Sequence, residues 1–208
     1  MKKTLGILTL ALVLIPAVAN AAAGDWLVRL RAVRIDPADQ SDAIPALGVP
    51  ADAITVSEKT IPEVDITYFF TEHIATELIL TYPQKHDVAV LGTKIGTFKH
   101  LPPVLSAQYH FAPDAVFSPY VGAGVNFTLI SNVDLAVPGV GKLDLSSTSV
   151  GLAGQAGFDV KLGEKLSLNA DVKYVQLDAD VKLKANGAKV SNVGVNPWLF
   201  GVGIGYRF

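Results

Sequence analysis

The stretch PWLFGVGIGYRF, residues 197–208, closes the sequence and decides how the rest of it is interpreted. Its residues alternate between two faces, and one face is apolar and aromatic from end to end. That face consists of Trp198, Phe200, Val202, Ile204, Tyr206 and Phe208. The opposite face is mostly bare backbone, with Gly201, Gly203 and Gly205. Because successive side chains of a β-strand point to opposite sides, this pattern predicts a two-faced strand.

Seven further segments show the same alternation or a less regular version of it. They are residues 26–35, 59–70, 74–82, 101–111, 119–129, 150–162 and a segment that begins at residue 166. No segment in this part of the chain shows the period of an amphipathic helix. The sequence therefore predicts an all-β protein with eight strands.

The connections between these strands alternate in length. Three are short, at residues 71–73, 112–115 and 163–165, and four are long, at residues 36–58, 83–100, 130–148 and 178–194. The long ones are rich in Pro, Gly, Asp and Asn, so we expect irregular loops rather than extended strands. An even strand number with this alternation predicts an eight-stranded antiparallel up-and-down transmembrane β-barrel with short periplasmic turns and long extracellular loops.

The first residues have the pattern of an export signal. Lys2 and Lys3 precede an apolar run over residues 5–18, and Ala19-Asn20-Ala21 resembles a cleavage site. The run is short for a membrane-spanning anchor, which is the alternative. We therefore expect a cleaved signal peptide at 1–21 and one outer-membrane barrel domain at 22–208, in the outer membrane of a Gram-negative cell after export.

The amino-acid composition limits the kinds of partner that we expect for this chain. The chain has no cysteine, so the exported protein is held together without disulfides. Its formal net charge of −2 is too small to indicate a nucleic-acid partner. The apolar face of each strand indicates outer-membrane lipid as the surrounding medium, although a soluble eight-stranded carrier with the reverse orientation would show the same alternation.

If Trp26, Val28 and Leu30 face lipid, parity turns a set of charged side chains into the lumen. The set is Arg29, Arg31, Glu63, Asp65, Glu77, Asp159, Lys161, Asp171, Lys173 and Arg207, with His110 on the same side. Five charges are positive and five negative, and an eight-stranded barrel is just wide enough to be filled by side chains. We expect a paired charge plug that blocks straight passage; a network that only packs the interior is the alternative.

The inward positions near the long loops are apolar. They are Val33, Ile35, Ile61, Val104, Val175, Leu177 and Leu199. An apolar pocket over a charged floor would accept a hydrophobic solute and not pass it downward. The alternative is a slip in register, since one bulge reverses every side chain beyond it.

A solute stopped by the floor would have to leave sideways. Pro62, Pro83, Pro102 and Pro103 fall in the outer halves of the second, third and fourth predicted strands. Because proline donates no hydrogen bond to the ladder, pairing is weakened where it sits. We predict a lateral exit into the bilayer along this wall.

Other patterns indicate no further chemistry. The glycine-rich GVGIGY at 201–206 opens no helix and predicts no nucleotide cofactor. The four histidines are scattered without ligand spacing, which argues against a metal site. Ser106 and His110 lie about 13 Å apart along a strand, at 3.3 Å per residue, so we expect no catalytic pair and no enzyme.

Three stretches resemble the OmpW family of outer-membrane proteins, which includes AlkL-type proteins of hydrocarbon uptake. They are HLPP at 100–103, PYVGAGVN at 119–126 and GYRF at 205–208. The resemblance implies passage of small hydrophobic molecules across the outer membrane. The terminal aromatics Tyr206 and Phe208 look like the signal read by the barrel assembly machinery. A structural or surface-interaction barrel without transport is the alternative.

Overall fold

The structure, a computed structural model, describes residues 23–45 and 48–208. The predicted signal peptide at 1–21 lies outside these residues and stays a prediction. No helix in the described part of the chain is long and apolar enough to cross a membrane. Fifteen strands are present among the described residues: β1 Trp26–Asp36, β2 Gln40–Ser41, β3 Ile54–Val56, β4 Lys59–Phe69, β5 Ile74–Leu80, β6 Gln84–Val90, β7 Thr93–Leu101, β8 Val104–His110, β9 Phe117–Val137, β10 Gly141–Leu145, β11 Thr148–Lys161, β12 Leu166–Val175, β13 Asp178–Leu183, β14 Lys189–Gly194 and β15 Trp198–Arg207.

Eight of these strands close an antiparallel barrel. Going round it, the order is β1, β4, β5, β8, β9, β11, β12 and β15, and β15 pairs back with β1 over ten residues from Leu27↔Arg207 to Asp36↔Trp198. Each barrel strand therefore has a neighbour on both sides, and no edge is left open. The predicted eight-stranded up-and-down barrel is confirmed.

The alternation in sequence becomes a clean separation of outside from inside. In β1, Trp26 and Leu30 are exposed on the outer face while Arg29 and Arg31 are buried in the lumen. In β15 every second residue is exposed, and these residues are all apolar or aromatic: Trp198, Phe200, Val202, Ile204 and Tyr206. An apolar outer face is expected only where acyl chains replace water. The structure thus contradicts the soluble carrier, whose outer face would be polar.

The long connections form strands, which corrects the expectation of irregular loops. The seven remaining strands extend the sheet beyond one end of the barrel, with hairpins β6–β7 and β13–β14 as its largest parts. β9 has 21 residues, which at about 3.3 Å each make about 70 Å, far more than the roughly 25 Å apolar band of such barrels. We call this part of the sheet the extracellular extension.

Prolines account for two strand ends that the alternation of the sequence does not predict. The predicted strand 101–111 is divided, since β7 ends at Leu101 and β8 begins at Val104, with Pro102 and Pro103 between them. The predicted strand 74–82 ends earlier, at Leu80, three residues before Pro83. Both breaks follow from the missing N–H and fixed φ of proline.

Candidate functional site

The middle of the lumen is closed by ion pairs centred on two arginines of β1. Arg29 donates from Nε and Nη2 to both carboxylate oxygens of Asp159, at 3.1 and 2.6 Å. Its Nη1 donates to Glu77 and to Thr67, both at 3.1 Å. The guanidinium also lies 5.2 Å from the ring centre of Tyr120. A fully buried charge is thus paired and hydrogen-bonded on every side, which its burial requires.

Arg31 occupies the next inward position of the same strand. It pairs with Glu63 and Asp65 at 2.5 Å and with Asp171 at 2.6 Å, so that one guanidinium holds three carboxylates from two strands. Lys173 lies 3.8 Å from Asp171 and joins this group to the Arg29 group through Glu77. We call the set centred on Arg29 and Arg31 the charged floor.

Neutral side chains that the predicted charge plug did not include complete this floor. Gln155 donates to Glu77 at 3.1 Å and to Ser106 at 3.2 Å. Asn169 donates to Asp159 and to the hydroxyl of Tyr120, both at 3.1 Å. All are buried and all lie at inward positions of the alternation. Parity could have found them, had polar as well as charged residues been counted.

Two residues of the predicted plug lie apart from the charged floor, which corrects that prediction. Arg207 sits nearer the periplasmic end, over the ring of Phe69 at 4.2 Å and 3.5 Å from Asp25. Lys161 lines a pocket at the same end, together with Arg207 and Glu164. The floor therefore holds three cations, Arg29, Arg31 and Lys173, against five carboxylates rather than five against five.

The glycines of β15 make room for the two arginines. In the β1–β15 ladder, Arg29 is opposite Gly205 and Arg31 is opposite Gly203. A Cβ built on Gly203 would contact the backbone oxygen of Leu30 and lie 2.7 Å from Cγ of Arg31. The bare inner face of the last strand is thus a consequence of the size of its neighbours.

An apolar pocket lies directly above the charged floor, and we call it the barrel-top pocket. It has a volume of about 440 Å³, counted to its mouth, and Glu63 and Lys173 form part of its base. Six of the seven predicted pocket residues line it: Ile35, Ile61, Val104, Val175, Leu177 and Leu199. Val33, the seventh, packs beneath it against Ile35 and Ile61. Ile79, Pro197 and His100 also line it and were not predicted.

A second apolar pocket, which we call the loop cavity, lies inside the extracellular extension. It has a volume of about 800 Å³, counted to its mouth, and every described residue that lines it is apolar. Phe98, Leu135, Leu143 and Val181 are among them, and Leu177 lines both this cavity and the barrel-top pocket. The sequence reasoning missed it by treating these segments as irregular. Alternation within residues 178–183 was the available signal, with Ala179, Val181 and Leu183 against Asp178, Asp180 and Lys182.

The barrel wall is interrupted beside the barrel-top pocket. The pairing of β4 with β5 stops at Val64 and Leu80, and the pairing of β6 with β7 begins at Gln84 and His100. Residues 81–83 between them belong to no strand. We call this interruption the wall gap.

All four predicted exit prolines lie around the wall gap. Pro83 is within it, Pro102 and Pro103 separate β7 from β8 on one flank, and Pro62 is on β4 on the other. Only Pro62 is within a strand, which corrects the prediction that all four are. The Thr81 hydroxyl donates to the carbonyl oxygen of Pro62 at 3.2 Å, so a side chain bridges strands where the ladder does not.

The final aromatics lie at the end of the barrel that carries the short turns. Tyr206 and Phe208 are exposed on the outer face, with ring centres 4.9 Å apart in an edge-to-face contact. The backbone N–H of Phe208 donates to the carbonyl of Trp26 at 2.9 Å, which holds the last residue against the first strand of the barrel. Their recognition by an assembly machinery stays a prediction.

Comparison with known proteins agrees with this architecture. The sequence profile of the OmpW family matches residues 22–208. The chain belongs to the OmpW family. Outer membrane protein W of Vibrio cholerae is 33% identical to it, with all of both chains covered. Outer membrane protein AlkL of Ectopseudomonas oleovorans is 25% identical over 89% of this chain and 83% of that one.

A solved structure supports the same assignment. The crystal structure of OprG from Pseudomonas aeruginosa superposes with a TM-score of 0.78 at 33% identity, covering 92% of this chain and 99% of that one. This OmpW-family member is therefore an outer-membrane β-barrel. Because such barrels have short periplasmic turns, the loop cavity is on the extracellular side and Phe208 is at the periplasmic rim.

Proposed function

We propose that this OmpW-family barrel takes small hydrophobic molecules from outside the cell through the loop cavity into the barrel-top pocket, and releases them sideways through the wall gap into the membrane. The observation that carries the proposal is the stacking of two apolar pockets, which share Leu177 as a lining residue, above a floor of paired charges. The resemblance of the chain to AlkL-type proteins supports the same class of solute.

The chemistry of the two pockets favours a solute that is largely apolar. The walls of the loop cavity offer hydrophobic contact and no charge, so a hydrophilic solute would lose its hydration without compensation. The barrel-top pocket continues the same surface through Ile35, Ile61 and Leu199. Transfer of apolar area from water into such a pocket is favourable by about 25 cal/mol per Å².

The charged floor is the physical reason to expect a sideways route, because it makes downward movement costly. An apolar molecule that moved downward would have to separate Arg29 from Asp159, or Arg31 from its three carboxylates, in a buried environment. Breaking a buried pair costs about 3–5 kcal/mol. The wall gap, in contrast, lies beside the pocket and lacks the backbone ladder along residues 81–83.

A reversible cysteine clamp across the wall gap tests the exit. Continuing the β4–β5 register beyond Val64↔Leu80 places Pro62 opposite Tyr82, and both are exposed. The chain has no cysteine, so Pro62→Cys with Tyr82→Cys forms one defined disulfide. We expect whole-cell uptake of a radiolabelled alkane to fall when the pair is oxidised and to recover after reduction. Gel migration with and without reductant verifies the disulfide.

A second pair provides the matched control. Leu30 and Ile204 are register partners on β1 and β15, both exposed, in a part of the wall where pairing is continuous. Leu30→Cys with Ile204→Cys should leave uptake unchanged in either redox state. Equal uptake by the oxidised and reduced wall-gap clamp would contradict the lateral exit.

One observation favours the surface-interaction alternative, since the long connections form extended strands. Their apolar side chains, however, face inward around the loop cavity instead of outward. A barrel that acts only as a scaffold would leave alkane uptake equal to that of cells without the protein. Uptake that depends on the clamp would exclude that alternative.

A further inference from the structure

A small polar cluster lies on the path between the two apolar pockets. It is formed on the inner face of hairpin β6–β7 by Gln84, His86 and His100, with Phe98 beside them. Gln84 is opposite His100 in the ladder and His86 is opposite Phe98. The two imidazole rings stack with centres 4.7 Å apart, and none of the four residues is more than 3% exposed. We call these residues the histidine cluster.

The position of the histidine cluster places it at the junction of the proposed route. Phe98 lines the loop cavity, and His100 lines the barrel-top pocket. Leu177, which lines both, marks the same level from the other side of the lumen. A solute that moves from one pocket to the other therefore passes Phe98 and His100, while Gln84 and His86 line neither pocket and lie beside these two residues in the hairpin.

Three buried polar atoms of the cluster have no hydrogen-bond partner among the residues that the structure describes: Gln84 Oε1, His86 Nε2 and His100 Nδ1. Leaving such an atom unpaired costs about 1–3 kcal/mol, which a packing role alone does not explain. Apolar residues would fill the same positions of the hairpin without that cost.

The hydrogen bonds that the cluster makes determine that two of these atoms are acceptors. His86 Nδ1 lies 2.7 Å from the carbonyl oxygen of Ser57, which can only accept, so Nδ1 carries the hydrogen and Nε2 of the neutral ring is an acceptor. Gln84 Nε2 donates to the carbonyl oxygen of Tyr82 at 2.8 Å, which leaves Oε1 as an acceptor. Burial lowers the pKa of His86 and lowers that of His100 to about 3, so both rings are neutral at pH 7.

We propose that the histidine cluster binds the hydroxyl group of the solute, and that the barrel selects apolar molecules with one hydroxyl, such as aliphatic alcohols, over hydrocarbons of equal length. The single hydroxyl hydrogen is shared between Gln84 Oε1 and His86 Nε2, which the solute reaches by moving the Phe98 and His100 rings aside, while the hydrocarbon body lies in the loop cavity. A carboxylate brings no hydrogen for these acceptors, and an ammonium ion would carry its charge past uncharged walls. This inference rests on the proposed function, since it names the solute of the same route.

Binding to the purified barrel in lipid nanodiscs tests the inference at pH 7. The probes are 1-decanol, decane and decanoate. Methyl resonances of Leu and Val in the loop cavity report occupancy by any of them, and the ¹⁵N shift of His86 Nε2 reports a hydrogen bond to that atom. We expect 1-decanol to bind about three- to tenfold more tightly than decane, the factor given by one net hydrogen bond. Only 1-decanol should move the His86 nitrogen.

Substitutions assign the preference to the cluster. In Gln84→Leu and in His86→Phe, affinity for 1-decanol should fall towards that for decane, which itself should not change. The matched control is His73→Phe, because His73 lies in the first periplasmic turn, where its ring stacks on Tyr109. That variant should keep the full preference. If a substitution prevents folding, the comparison of the three probes on the unaltered protein still tests whether the barrel prefers 1-decanol, because it needs no variant.

The possible outcomes separate this inference from the proposed function. Methyl shifts with both decane and 1-decanol, at equal affinity and without a shift of His86, would overturn the hydroxyl site and leave the hydrophobic route intact. Waters paired with the three atoms would produce that same result. No methyl shift with any probe would overturn the route itself. Tighter binding of decanoate than of 1-decanol would also contradict the inference.

Discussion

At the scale of single residues, Arg29 and Arg31 show how a narrow barrel can hold charge without water. Each guanidinium is shared by carboxylates from different strands, so that no donor of the pair faces an apolar surface alone. Their length is accommodated because Gly203 and Gly205 lie opposite them on β15. The two features depend on each other: the arginines need the glycines for space, and the glycine-rich strand needs the arginines to fill the lumen.

Replacing Arg29 by methionine should therefore destabilise the barrel strongly. Arg29→Met keeps most of the volume but leaves Glu77 and Asp159 buried without their partner, at a cost of about 3–5 kcal/mol in the free energy of unfolding. The matched control is Arg34→Met, which removes an exposed pair with Glu58 and should cost no more than about 1 kcal/mol. The midpoint of urea unfolding, followed by heat-modifiable gel migration, measures both. Equal midpoints for the two variants would contradict the role of the floor in stability.

At the scale of elements, alternation predicted the eight barrel strands because one face of each meets lipid and the other a packed lumen. Parity then located the buried arginines and six of the lining residues of the barrel-top pocket. The same rule holds in residues 178–183 of the extension, but the high Pro and Gly content of the long connections wrongly predicts irregular structure there. Which strands the extension pairs, and hence the loop cavity, depends on contacts such as β7 with β9 that no local pattern contains.

Hairpin β6–β7 should lose stability as the pH falls. Because burial lowers the pKa of His100 to about 3, the unfolded hairpin takes up a proton near pH 6.5 while the folded one does not. The free energy of local opening should thus fall between pH 6.5 and 3, by at most about 1.4 kcal/mol per pH unit for this histidine. His86, with a pKa that is also lowered, adds in the same direction. Hydrogen exchange of β6–β7 amides, relative to those of β12, measures the effect.

The variant His100→Phe provides the control for this pH dependence. It removes the titrating group while keeping an aromatic ring against His86 and Phe98. The pH dependence of exchange in the hairpin should shrink to the part contributed by His86. Amide exchange in β6–β7 of the unaltered protein that follows the pH dependence of β12 would show that the histidines do not control the stability of the hairpin.

At the scale of the whole molecule, the barrel and its extension form one continuous sheet around two apolar pockets, with the charged floor beneath them. The same strand β9 runs through both parts, so the loop cavity is held on the barrel by backbone pairing rather than by flexible links. The floor and the wall gap lie at two neighbouring levels of the lumen. In the proposed function, the floor blocks polar solutes and ions, and the level above it passes apolar solutes.

Opening the floor should therefore raise ionic conductance without raising hydrophobic uptake. Tyr120 is a large, fully buried side chain beside Arg29 and Asn169, and Tyr120→Ala removes its ring from the lumen. We expect the variant to conduct more ions than the unaltered protein in planar bilayers, while alkane uptake by cells stays the same. Leu152→Ala, on the lipid-facing side of β11, should alter neither. If alkane uptake rose together with conductance, the solute would be moving along the barrel axis through the floor, and the sideways route would be wrong.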